Sequence, residues 1–101
     1  MKKLIAGIFS PTTSLQIYEY ENGVLRDAVG DYIPLKTYYY VINTLNEKSS
    51  EDAHFLIRYS GEEYFCEFVV RFKPQTEVFL IGYGASPEEA LENCLMKLKE
   101  V

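Results

Sequence analysis

The chain has no tryptophan, a single histidine and only two cysteines. His54 has no partner at a readable catalytic or ligand spacing, so its ordinary place is a surface or an edge strand. Cys66 and Cys94 stand at no metal-ligand or CxxC spacing, and each falls on an apolar face, as a buried reduced thiol does. No apolar run is long enough to span a membrane. Met1-Lys2-Lys3 followed by Leu4 to Phe9 has the outline of a signal-peptide start. The run is too short, is broken by Gly7 and lacks a small-x-small site, so a soluble cytoplasmic protein is expected. Internal repeats and low-complexity segments are also missing. Positive charge is scarce: ten Lys and Arg face fifteen Asp and Glu, for a net charge of −5. Nucleic-acid binders carry basic patches that displace counterions from phosphates, so this balance argues against such a partner. It suits a basic protein partner, or solubility alone. No residue pattern implies a cofactor.

What is present is aromatic. Nine tyrosines and six phenylalanines fall within 101 residues, and 48% of the chain is hydrophobic. That length and composition fit one folded domain with a single core. Nine tyrosines exceed what such a core needs, so some are expected half-exposed, where a rigid ring and a hydroxyl suit contact with a partner.

The best-specified stretch is Glu77 to Val101. Val78 to Ile81 reads as a strand, Gly82-Tyr83-Gly84-Ala85 as a tight turn, and Ser86-Pro87-Glu88-Glu89 as a helix start. Ser86 is the N-cap, Pro87 suits the first helical position, and Glu89 can complete a capping box. Ala90, Leu91, Cys94, Leu95 and Leu98 form the apolar stripe.

Upstream, Lys3 to Phe9 reads as a strand and Ser10 to Ser14 as a loop. Leu15 to Tyr20 alternates, and Asn22-Gly23 signals a hairpin that sets Glu21 opposite Val24, Tyr20 opposite Leu25 and Glu19 opposite Arg26. The return strand runs to about Val29, ending at Gly30-Asp31. Leu35, Tyr38, Tyr39, Ile42 and Leu45 recur at helical spacing. The β-branched and aromatic content of Thr37 to Ile42 argues for a strand, while Pro34 and the sustained period favour a helix with Tyr38 and Tyr39 in the core and Tyr40 outside. Asn46 to Asp52 is a polar loop. Ala53 to Tyr59 and Tyr64 to Phe72 are strands. On the second, Tyr64, Cys66, Phe68, Val70 and Phe72 face the core, and Phe65 and Val69 fall on the other face. Ser60 to Glu63 and Lys73 to Thr76 are turns. The expected fold class is α+β: an antiparallel sheet with two helices packed on one face. Residues 34–101 form the core, residues 1–30 an N-terminal β-hairpin extension, and the other sheet face receives the hairpin or a partner.

From Pro34 onward the order helix-strand-strand-strand-helix, with Gly82-Tyr83-Gly84-Ala85-Ser86 running into an Ala/Leu-rich helix, resembles the double-stranded RNA-binding domain over about two-thirds of the chain. That family opens its last helix with phosphate-gripping lysines. The matching positions here are Glu88, Glu89 and Glu92, which removes that source of RNA affinity. Tyr64 to Phe72 followed by Gly82-x-Gly84-x-Ser86-Pro87-Glu88-Glu89-Ala90 is similar to the small helix-sheet-helix sandwich domains of phage and prophage proteins. That resemblance implies a mobile-element accessory protein, acting in the host cytoplasm against a host system.

Chemistry is thinly marked. Gly82-Tyr83-Gly84 before a helix suggests an anion cradle, but Ser86 and Glu89 already satisfy those amides. Glu62-Glu63 and Glu19/Glu21 are exposed turn and strand carboxylates rather than a hydrolytic pair. The expectation is a non-enzymatic binding protein that inhibits a host defence factor. Tyr18, Glu19, Tyr20, Tyr40, Glu88, Glu89 and Glu92 would meet a basic surface on that host protein. Two alternatives remain. One is a homo-oligomer that sequesters a nucleotide-like ligand with Arg58 and Arg71. The other is a divergent double-stranded RNA binder with a stripe built from Lys2, Lys3, Lys36, Lys48 and Lys73.

Overall fold

Every second residue of Tyr64–Phe72 is apolar, and the chain buries that set by laying the stretch into a sheet covered on one side by helices. A computed structural model describes residues 3–10, 13–22, 24–26, 34–73 and 76–101. The order is β1 (Lys3–Ser10), β2 (Thr13–Glu21), β3 (Val24–Arg26), α1 (Leu35–Glu47), β4 (Ser50–Tyr59), β5 (Tyr64–Phe72), β6 (Thr76–Gly84) and α2 (Pro87–Lys99). The fold is α+β, with one sheet and two helices.

The six strands run β3-β2-β1-β4-β5-β6. The sheet is mixed, which corrects the antiparallel expectation: β1 pairs with β4 in parallel, and the other neighbours are antiparallel. A parallel pair needs a long crossover. Here the β2–β3 hairpin and α1 lie between the two partners. The N-terminal strands therefore widen the sheet edge to edge rather than covering its free face. The Asn22-Gly23 hairpin has the expected register, with Glu19 opposite Arg26 and Asn22 at φ 50. The expected end of the return strand at Gly30-Asp31 and residues 74–75 of the expected Lys73–Thr76 turn lie outside the described residues. Ser50–Asp52 belongs to β4, so the expected polar loop is shorter, and Ser49 turns it at φ 57.

Rows of paired residues define the helix-covered face. Tyr20, Leu4, Ala53, Val70 and Val78 form one row, and Ile8, Ile57, Cys66 and Gly82 another. Onto these, α1 places Tyr38, Val41, Ile42 and Leu45, and α2 places Ala90, Leu91, Cys94, Leu95 and Leu98. Tyr39 is exposed and Val41 is buried, which corrects the expected core stripe. The positions that stack along one helix face are 38, 41, 42 and 45, and residue 39 lies about 100° round from residue 38. The Leu35 side chain lies outside the described residues.

Gly82 and Gly84 are strand residues of β6, not a turn, and neither is in the left-handed region; among the described glycines that conformation belongs to Gly61, at φ 100. Their role is close approach. A Cβ on Gly82 would stand 2.5 Å from the Ala90 carbonyl oxygen and 2.7 Å from the Cys94 nitrogen, and one on Gly84 would stand 2.6 Å from the Ala90 nitrogen. Helix α2 starts as the sequence indicates, with Pro87 in its first turn and the Ser86 Oγ accepting from the Glu89 N–H at 3.1 Å. Further along, Asn93 Nδ2 donates to the Tyr83 carbonyl and Lys97 Nζ to the Ile81 carbonyl, both on β6.

Because the atoms facing Gly82 are helix backbone, Gly82→Ala is expected to lower stability by about 1–3 kcal/mol, read from the midpoint of urea unfolding. Ser86→Ala is expected to cost about 1 kcal/mol in the same experiment.

Candidate functional site

Two surfaces of the folded chain carry side chains that the core does not use. The first is the groove between the helices. Thr37 on α1 is buried at its rim, and its hydroxyl donates to Glu88 Oε1 of α2 at 2.7 Å. At the far end the Lys99 ammonium lies 4.6 Å from the centre of the Tyr40 ring and donates to the Tyr40 hydroxyl. Between these ties is a cleft of about 520 Å³, floored by Leu95 and edged by Glu92, Met96 and Lys36. Glu88 and Glu92 are one turn apart and share a helix face. Met96 is 63% exposed, and Tyr39 and Tyr40 stand out on the facing helix.

The second surface is the sheet face turned away from the helices. Its rows follow from the register. Glu21, Lys3, Asp52, Arg71 and Glu77 cross five strands with alternating sign. The next row of this face holds Glu19, Ile5, His54, Val69 and Phe79. Beyond it come Leu56, Glu67 and Ile81, then Arg58, Phe65 and Tyr83. Ion pairs brace the strands: Arg71–Asp52 at 3.3 Å, Lys3–Glu19 at 3.7 Å and Arg58–Glu67 at 3.8 Å. Phe65 and Tyr83 have ring centres 6.3 Å apart. Ile5 is 40% exposed, Phe79 56% and Tyr83 52%.

The structure divides the residues that the sequence singled out. Tyr40, Glu88 and Glu92 meet in the groove. Glu89 is on the flank of α2 that faces Gly84. Tyr20 is half-buried beside the core, opposite Leu4, whereas Glu19 is on the open face with Lys3. Tyr18 stands opposite Ala6 in the backbone register, and its side chain lies outside the described residues. Arg58 and Arg71 share the open face but not a site. Arg58 is opposite Phe65, six residues from Arg71 along β5, which separates the two by roughly 20 Å. Sequence reasoning missed Met96 and Thr37 in the groove. It also missed Ile5, Phe79 and Tyr83 on the open face, although the alternation Glu77-Phe79-Ile81-Tyr83 was there to mark them.

Cys66 and Cys94 are buried between β5 and α2, with Cys94 Sγ donating to the Cys66 carbonyl at 3.2 Å. The side-chain hydrogen bond shared with Cys94, and then burial, push the Cys66 thiol up, away from the thiolate. Among the described residues no cluster of His, Cys, Asp and Glu is placed to hold a metal ion, and no helix is long and apolar enough to cross a membrane.

No family profile matches the chain, and no curated protein matches its sequence. Its fold is similar to that of a ribosomal subunit interface protein from Coxiella burnetii, with a TM-score of 0.55 and 10% sequence identity over 70% of this chain and 81% of that one.

The geometry of the thiols sets an expectation for their chemistry. Native Cys66 and Cys94 should react with an aromatic disulfide reagent about 100-fold more slowly than in urea, since attack requires opening of the α2–sheet contact. Rapid native labelling of either would show that contact to be loose.

Proposed function

We propose that the protein is a binding protein that acts by contact, taking a basic segment of a partner protein into the groove between α1 and α2. The observation that carries this reading is the Thr37–Glu88 bond: it fixes one carboxylate at the rim, one turn from Glu92 and beside exposed Met96 and Tyr40. A pre-positioned carboxylate loses little freedom when a Lys or Arg arrives, and charge-assisted bonds of this type are the stronger class. Met and Tyr supply the apolar area that interfaces favour. Lys99 lies along the Tyr40 ring, so one of the groove's cations is already engaged within the molecule.

The test is capture of partners by immobilised wild-type protein and by the double variant Glu88→Lys/Glu92→Lys, with folding checked by circular dichroism. A protein held by the wild type at low salt should bind the variant about 10- to 100-fold more weakly and should be released as salt rises. Equal capture by both would reject the groove.

A ribosomal partner is the second reading, favoured by the fold similarity to a ribosomal subunit interface protein. The chain's net charge of −5 opposes contact with RNA, so such a partner would be met through ribosomal protein. Co-sedimentation with ribosomal subunits, lost in the Glu88→Lys/Glu92→Lys variant, would support it; absence from the ribosomal pellet would exclude it.

A further inference from the structure

The fold brings the two cysteines of the chain together from positions 28 residues apart. We infer that they form a hydroperoxide-reactive pair, in which Cys94 attacks the oxidant and Cys66 closes the product to a disulfide that clamps α2 to β5. The pair lies outside the groove between the helices, so its chemistry does not depend on what the groove holds.

Three features support these roles. The first is contact. Cys66 is on the helix-covered face of β5, and Cys94 Sγ lies 3.2 Å from its carbonyl oxygen. The two side chains also share a hydrogen bond. Two thiols already in contact need only an oxidant to become a disulfide. The second is an approach. Gly82 pairs with Cys66 across β5 and β6, and a Cβ there would stand 3.0 Å from Cys94 Sγ. The Cys94 sulfur therefore packs onto a residue with no side chain. The same glycine lines a hollow of about 410 Å³ between β6 and α2, together with Asn93 and Lys97. A hydroperoxide in that hollow is one residue away from the sulfur. Neither thiol is exposed, so the last step inward takes a local opening at this margin, smaller than an aromatic reagent requires. The third is charge. Lys97 is one turn after Cys94 on α2 and donates to the Ile81 carbonyl, next to Gly82. An ammonium there favours a thiolate at Cys94. The hydrogen bond from Cys66, and then Lys97 and the Gly82 backbone, hold the Cys94 thiol below its ordinary range although burial opposes them, whereas Cys66 is pushed up. An attacking thiol and a resolving thiol differ in this sense.

With hydrogen peroxide, the Cys94 thiolate attacks one oxygen. An S–O bond forms, the O–O bond breaks, the sulfur gives up two electrons and hydroxide leaves. The Cys66 sulfur then attacks the Cys94 sulfenic acid: an S–S bond forms, the S–O bond breaks and a second hydroxide leaves. The two thiol protons join the two hydroxides, so two thiols and one peroxide give one disulfide and two waters.

The test is reaction of the reduced full chain with hydrogen peroxide, folded and in urea, followed by alkylation of the remaining thiols and intact-mass measurement. The folded chain is expected to become lighter by two hydrogen atoms and to take no alkyl label. It should do so about 10-fold faster than the unfolded chain, because folding holds the sulfurs together. That is the reverse of the order expected for the aromatic disulfide reagent. The oxidised chain should unfold at higher urea than the reduced one, and dithiothreitol should reverse the difference. Cys66→Ser should stop at a sulfenic acid on Cys94, trapped by dimedone. Lys97→Gln, at an exposed position, should slow the folded reaction about 3-fold, whereas mere loosening of the β6 margin would speed it. A folded chain that oxidises no faster than the unfolded one, cross-links only between chains, or unfolds at lower urea once oxidised would overturn the inference. Sulfenic acid on Cys66 rather than Cys94, or a Lys97→Gln chain that reacts as fast as the wild type, would overturn it as well.

Discussion

Helix α2 lies so close to β6 that no side chain fits between them at Gly82 and Gly84. That clearance fixes the height of the helix over the sheet, and much else follows. At this height Leu91, Leu95 and Leu98 reach the core, and the Cys94 thiol finds the Cys66 carbonyl. The Ser86 cap sets where the helix begins and so which residues face which way. With its apolar stripe turned down, α2 presents Glu88 and Glu92 towards α1 and sends Asn93 and Lys97 over the margin of β6. A methyl group at either glycine would lift the helix and alter all of these contacts together.

The core is one-sided. Both helices pack against the same face of the sheet, and on that face the buried residues form a continuous cluster from Leu4 to Leu98. The opposite face is held by cross-strand pairs, ionic at one margin and aromatic near the other. Antiparallel sheets often leave one face to water and then carry polar side chains there. This face keeps Ile5, Leu56, Val69, Phe79 and Ile81 among its charges.

What the sequence revealed was whatever is local. The Ser86-Pro87 helix start, the Asn22-Gly23 register and the alternation of Tyr64 to Phe72 depend on neighbours in the chain. The parallel pairing of β1 with β4 depends on contacts across about 50 residues. A period-2 pattern says which face a residue takes, not which strand lies beside it. Gly82-Tyr83-Gly84 misled for a related reason. Glycine marks both turns and close approaches, and only the packed helix shows which is meant here. Of the candidate site, Glu88 and Glu92 were legible as neighbours on one helix face. Their association with Tyr40 and Thr37 was not, because it needs the two helices side by side. Tyr18, Glu19 and Tyr20, proposed as one group, are consecutive in β2, and the strand turns Glu19 to the face opposite that of Tyr20.

The bonds from Asn93 and Lys97 to the outer carbonyls of Tyr83 and Ile81 occupy acceptors that another strand would need. An incoming chain could not continue the hydrogen-bond ladder along this half of β6 without displacing two side chains of its own helix. At the other margin the described residues of β3 cover Glu19–Glu21 of β2. This half of β6 is therefore a poor template for growth by adding strands, the route that leads to filaments and fibres.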